Sequence, residues 1–197
     1  MTDAGLRFCP KRHRFRIPFE KSLSMMLPAA PLLISACLVG IACRYDGASR
    51  DNPAIREFLA LHHVLPVPIC PELLGGLPTP RPPCQFRGGD GEDLWRGTAT
   101  LVSEDGRDRV PSFQRGARET LKIAQLCGCR AALLKERSPS CGVRAVHCEG
   151  KLRAGAGVTT VLLREAGLHV FSEEEIPEVK LFMAKHPDFH LAVPGKT

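Results

Sequence analysis

Short apolar runs bounded by glycine and proline recur along this chain, and three of them stop just before a cysteine. Residues 32–37, 66–69 and 130–135 read as short buried strands. Between and after them lie helical signals. Asn52-Pro53 supplies an N-cap and a first-turn proline for a helix reaching about residue 63. Residues 111–126 carry helical periodicity through Phe113, Ala117, Leu121 and Ala124. A helix over 158–166 is stopped by Gly167, residues 168–171 form a further strand, and Ser172 caps an acidic-started helix over 173–185. Residues 73–91, rich in Gly and Pro, are expected to be one long irregular segment, of the kind that usually serves function. A small extended excursion over 97–102 and a hairpin around Glu149-Gly150 complete the pattern.

Strands alternating with helices predict an α/β fold: a Rossmann-like, mostly parallel sheet with helices on both faces, in a single domain. In such a sheet, ligands bind in the crevice at the carboxyl ends of the strands. Cys37, Cys70 and Cys141 each follow a strand and so converge on that mouth. Three thiolates with no fourth in the same pattern suit a metal cluster that keeps one position open. Neither a G-x-G-x-x-G after the first strand nor a Walker lysine loop is present, so dinucleotide and NTP binding lack their usual support.

Charge changes the picture little. The formal net charge of +6 is concentrated in residues 1–24, where six Lys or Arg face two acidic residues; the other 21 basic and 19 acidic residues nearly balance. A nucleic-acid-binding face therefore has little support, although a tRNA substrate is not excluded. Residues 1–30 are expected to be a disordered basic extension, with 31–197 the folded domain, and Met25 or Met26 is a plausible translation start. Ile34-Ser-Ala-Cys37 resembles a lipoprotein cleavage box, which would make Cys37 a lipid anchor. Pro28 and Pro31 interrupt that apolar segment, and the strand-then-cysteine pattern recurs downstream, so no membrane attachment is expected. Nine cysteines, an odd number in a chain long enough to fold without disulfides, favour a reduced, cytoplasmic setting.

The motifs go further. Ser35-Ala-Cys-Leu-Val-Gly40, Cys43-Arg-Tyr-Asp-Gly47, Cys70-Pro-Glu72, Ser138-Pro-Ser-Cys-Gly142 and Gly155-Ala-Gly-Val-Thr159 together resemble a bacterial family that includes the thiouracil desulfurases. The resemblance spans residues 32–173 and departs at 106–112 and at Cys84-Gln85. It implies a 4Fe-4S cluster held by Cys37, Cys70 and Cys141, its fourth iron open to the sulfur of a thiolated pyrimidine base or nucleotide. The implied reaction is a non-redox exchange of sulfur for water, releasing hydrogen sulfide. Soft thiolate ligands suit such a cluster.

That reaction needs proton transfer. Glu72, two residues past Cys70, is placed to act as general acid or base. Ser138 or Ser140 could position water or the pyrimidine, and Asp46 could orient substrate or support the first ligand loop. Structural alternatives stand beside each: a Glu72–Arg81 ion pair, serines that serve only a proline turn, and ordinary turn chemistry at Asp46-Gly47. Arg44 and Arg81 are candidates for a substrate phosphate. Cys43 reads as a spare or supporting thiol, Cys127 and Cys129 as buried small residues, and Cys9, Cys84 and Cys148 show no ligand context. Two rival functions remain: a regulatory module binding a cluster or zinc, and metal-free sulfur transfer with Cys141 as nucleophile.

Overall fold

The computed structural model describes residues 30–62 and 64–186. The basic extension expected over 1–30 lies outside the described residues as far as 29, as do Cys9, His13, His63 and His190. In chain order the elements are β1 (Ala30–Ser35), a 3-10 turn (Ala36–Val39), α1 (Pro53–Leu61), β2 (Val64–Ile69), α2 (Pro71–Leu74), β3 (Cys84–Arg87), α3 (Gly91–Arg96), β4 (Thr100–Ser103), α4 (Val110–Leu126), β5 (Ala131–Leu134), β6 (Ala145–Cys148), β7 (Lys151–Ala154), α5 (Val158–Glu165), β8 (His169–Ser172) and α6 (Ile176–Lys185).

The first sheet has the order β2-β1-β5-β8 and is parallel throughout. From β1 the chain moves to one side to make β2, then crosses back to place β5 on the other side of β1. The carboxyl ends of β1 and β5 thus flank a topological switch point. Side chains alternate across both central strands. Leu32, Ile34, Ala131 and Leu133 pack with Phe58 of α1 and Val179 and Phe182 of α6. Leu33, Ala132 and Leu134 face the opposite way, against Ala124 of α4 and Leu163 of α5. Each of the Leu, Ile, Val and Phe side chains contributes about 1.5–3 kcal/mol on burial, and helices cover both faces as the alternation requires. Pro66 and Pro68 interrupt β2 without harm because β2 is an edge strand.

The segment expected to be irregular over 73–91 takes in the end of α2 and all of β3, and β3 belongs to a second sheet of order β4-β3-β6-β7. Here β3 with β4 and β6 with β7 are antiparallel, while β3 and β6 run parallel through Phe86 opposite Cys148. Its core joins Phe86, Leu101 and Val146 to Phe113 and Ala117 at the start of α4 and Val158 at the start of α5. Each of these helices therefore serves the second sheet with its first turns and the parallel sheet with its later ones.

Several local expectations hold. Asn52 caps α1, its side chain accepting from the Ala54 N–H at 3.0 Å, with Pro53 in the first turn. Others shift. The first strand ends at Ser35, so Cys37 sits in the 3-10 turn. Helix α6 starts at Ile176 with Glu175 as its cap residue, and Ser172 instead accepts from the Glu174 N–H across a turn. No helix among the described residues is long and apolar enough to cross a membrane. Cys37 is packed in the parallel-sheet core, which is not the position of a lipid-anchor residue.

Candidate active site

Three strand ends bring the predicted thiols to one cavity of about 690 Å³. Cys37 follows β1 in a turn that closes at Gly40, whose φ of 92° places it in the left-handed region where glycine is favoured. The Arg50 N–H donates to the Cys37 carbonyl at 2.8 Å and ties the following loop beneath it. Cys70 follows β2 directly and is the cap residue of α2. Helix α2 lies almost in backbone contact with α4. A Cβ on Gly116 would stand 1.9 Å from the Pro71 carbonyl oxygen, and one on Gly75 would stand 2.2 Å from that of Ser112.

The third thiol, Cys141, belongs to a loop held from several sides. Ser138 Oγ accepts from the N–H groups of Ser140 and Cys141, both at 3.2 Å, and the Gly142 N–H donates to the Ser138 carbonyl at 2.7 Å. The start of α5 closes the loop from outside: Val158 and Thr159 donate their N–H groups to the carbonyls of Pro139 and Ser140, and Thr160 Oγ1 donates to the Cys141 carbonyl at 2.9 Å. A Cβ on Gly157 would lie 2.4 Å from the Ser140 carbonyl oxygen, which explains the glycine in Gly-Val-Thr159. The buried carboxylate of Glu136 accepts from the N–H groups of Val143, Arg144 and Ala145, just past the loop.

Burial and mutual hydrogen bonding raise the pKa values of Cys141, Cys43 and Cys70. Burial pushes Cys141 up to about 12, against hydrogen bonding from Ser35 and Ser138 that favours the thiolate. Cys43, a fourth buried thiol at the cavity, hydrogen-bonds with Cys37 and Cys70; the Cys37 contact and burial push it up to about 11. Cys70 is raised by its bond to Cys43 and by burial. A thiol so placed is a poor nucleophile at neutral pH, which weighs against metal-free transfer through Cys141. Metal binding at such sites must expel protons.

The catalytic candidates separate. Glu72 lines the cavity, and its Oε2 accepts from Arg81 Nε at 2.7 Å, so the ion pair with Arg81 is present at the cavity itself. Ser138 also lines the cavity. Ser140 does not: it is buried, with its hydroxyl 3.0 Å from that of Thr159. Asp46 does not line the cavity either, because Arg44 Nε and Nη2 and the Ala48 N–H engage its carboxylate within the loop. The Arg44 guanidinium holds Asp46 below the usual carboxylate range, which fits loop support and not substrate contact. Neither arginine proposed for a phosphate is unengaged. Arg44 is held by Asp46, and Arg81 is buried, donating to the Cys43 carbonyl from both Nη atoms at 3.2 Å.

Other cavity residues carry no predicted role in the site. Cys84, raised to about 11 by burial, lines the wall, as do Gln85 and Arg87 of β3 and His147 of β6. They belong to the second sheet, whose pairing was not foreseen. Lys135 and Glu136 also line the cavity, joined by Glu173: Lys135 Nζ donates to a Glu173 oxygen, and the other takes the Glu136 N–H at 2.6 Å. Cys127 is exposed at the end of α4, whereas Cys129 and Cys148 are buried in the cores.

The donor set can be tested against an iron–sulfur group. Five thiols line the cavity, Cys37, Cys43, Cys70, Cys84 and Cys141, and the three predicted ligands among them come from separate elements. Soft thiolates gathered at one cavity suit an iron–sulfur cluster.

Comparison with known proteins agrees in extent with this region. The 2-thiouracil desulfurase family model matches residues 32–175. YbbK, an uncharacterized protein of Bacillus subtilis (strain 168), is 42% identical over 151 residues, covering 75% of this chain and 99% of YbbK. A solved structure described as a 4Fe-4S-dependent thiouracil desulfidase, TudS, is 40% identical with a TM-score of 0.67, covering 79% of this chain and 98% of TudS.

Proposed function

Because the chain belongs to the 2-thiouracil desulfurase family, we propose that it exchanges the sulfur of a thiolated pyrimidine for water oxygen, using a 4Fe-4S cluster held by Cys37, Cys70 and Cys141. The observation that carries this reading is the arrival of those three thiols at one cavity with Glu72 on its wall. The 4Fe-4S dependence of TudS, at 40% identity, supports the choice of cluster.

The overall change is balanced without an electron donor: thiouracil and water give uracil and hydrogen sulfide. When bound, the cluster supplies sulfur-seeking iron with one position unshared by protein, since three cysteines serve four irons. The chain's own residues handle protons and position. Glu72, aligned by Arg81, takes a proton from the attacking water and returns one to the departing sulfur or the ring nitrogen, a role worth about 10²–10⁴-fold in rate. Ser138, whose oxygen accepts two N–H groups and whose hydroxyl also hydrogen-bonds with Cys141, stands on the cavity wall and positions water or the pyrimidine beside that ligand loop. The second sheet encloses the pyrimidine, and the free thiols among the described cysteines suit a reducing cytoplasm.

The test is iron and acid-labile sulfide content of protein reconstituted without oxygen, followed by hydrogen sulfide release from 2-thiouracil. About four of each per chain, with turnover, is the expected result. Iron-free protein that still turns over would shift the reading to Cys141 chemistry, and a loaded protein without turnover would make the domain a binding module.

A further inference from the structure

We infer that Glu136 is a positioning residue for the Cys141 loop, and that its charge holds the cluster in its oxidised state; the inference rests on the cluster reading above. Glu136 is 3% exposed, among the least accessible charged side chains described. Its Oε1 accepts from the N–H groups of Arg137 at 3.2 Å, Val143 at 3.2 Å, Arg144 at 3.1 Å and Ala145 at 2.9 Å, and its Oε2 accepts from Val143 at 3.3 Å. One carboxylate thus gathers the backbone on both sides of Ser138-Pro-Ser-Cys-Gly142 and fixes the span on which Cys141 rides. A nest of amides is the usual setting for an anion.

The hydrogen bonds to its carboxylate come from backbone amides. Among the described residues no cation is paired with it: the adjacent Lys135 ammonium goes to Glu173 and to the Glu136 carbonyl oxygen. Glu136 also lines the cavity that Cys37, Cys70 and Cys141 share. An unpaired negative charge beside a cluster opposes the entry of an electron, because net charge and local polarity set such potentials. For a reaction that substitutes sulfur without redox change, resistance to reduction keeps electron transfer out of the site.

Two variants separate shape from charge. Glu136→Gln keeps an Oε1 acceptor for the loop but removes the charge; Glu136→Asp keeps the charge but withdraws it from the amides. With circular dichroism to check the fold, the Gln variant should load iron and show a reduction potential above that of the wild type. The Asp variant should lose iron retention, and its Val143, Arg144 and Ala145 amides should exchange about tenfold faster, read on cluster-free protein as well. Wild-type protein that holds no iron overturns the cluster reading, while the exchange rates still judge the positioning role. Loaded variants with unchanged potential and exchange overturn this inference, as does loss of the whole fold in both, which would mark Glu136 as a general stabilising residue.

Discussion

The parallel sheet meets the cavity with the tips of its strands, whereas the second sheet meets it with a flank. From the tips of β1, β2 and β5 come Cys37, Cys70 and the Cys141 loop; from the flank of β3 and β6 come Gln85, Arg87 and His147, whose neighbours Phe86, Val146 and Cys148 turn into the core. Strand tips carry loops pinned by backbone hydrogen bonds, so they can hold donor atoms at set positions. A sheet flank presents side chains in a row, where His147 can change without moving a pinned loop, while Gln85 Oε1 also accepts from the Gly150 N–H at 2.6 Å. On the proposed reading, the arrangement teaches a division of labour: cofactor on the first sheet, substrate wall on the second.

Removing a tip thiol should break the comparison most severely. Cys37→Ser, Cys70→Ser and Cys141→Ser are each expected to abolish both iron retention and hydrogen sulfide release, measured by metal analysis and turnover; retention in all three would refute the ligand assignment. Next in size, Glu72→Gln should lower kcat by about 10²–10⁴-fold while iron content stays at the wild-type level. Full activity would leave Glu72 only its structural bond to Arg81. Gly157→Ala attacks the joint between the sheets, where the new Cβ would stand 2.4 Å from the Ser140 carbonyl oxygen. We expect a loss of about 1–3 kcal/mol, read as a lower Tm, together with weaker iron retention.

On the flank, His147→Ala and Gln85→Ala should each raise KM about fivefold, the worth of one hydrogen bond near 1 kcal/mol, with iron unchanged. A loss of iron there would remove the division between the sheets. The smallest effect at neutral pH concerns Cys129 in the parallel-sheet core, which burial pushes up to about 12 from 9.0. The unfolded chain gives up this proton near pH 9 and the folded one only near 12, so the stabilisation is intact below 9 and declines across that interval. Thermal melts of cluster-free protein should show this alkaline decline, to which the raised cavity thiols also contribute, and Cys129→Ala should make it shallower by one thiol's share.

How much of this was legible follows from the range of the forces involved. The buried run of β1, the Asn52-Pro53 start of α1 and the Phe113, Ala117, Ala124 stripe of α4 are set by residues a few positions apart, so their pattern is written along the chain. The four-residue β3, between Pro83 and Gly88, has no such pattern; it exists because β4 and β6 pair with it. The same limit applied to Asp46 and Ser140. Their motifs pointed to the site, but the side chains turn to Arg44 and to Thr159, partners that the motif spacing does not reveal.

Sequence alone determined the α/β class, the three thiols at strand ends and the carboxylate beside Cys70, because local propensity and strand-end topology suffice for these. Tertiary structure alone decided the second sheet, the cavity wall it provides and the role of Glu136. Those depend on backbone groups from separate segments meeting in space, and an amide such as that of Ala145 has no signature in the residue that bears it.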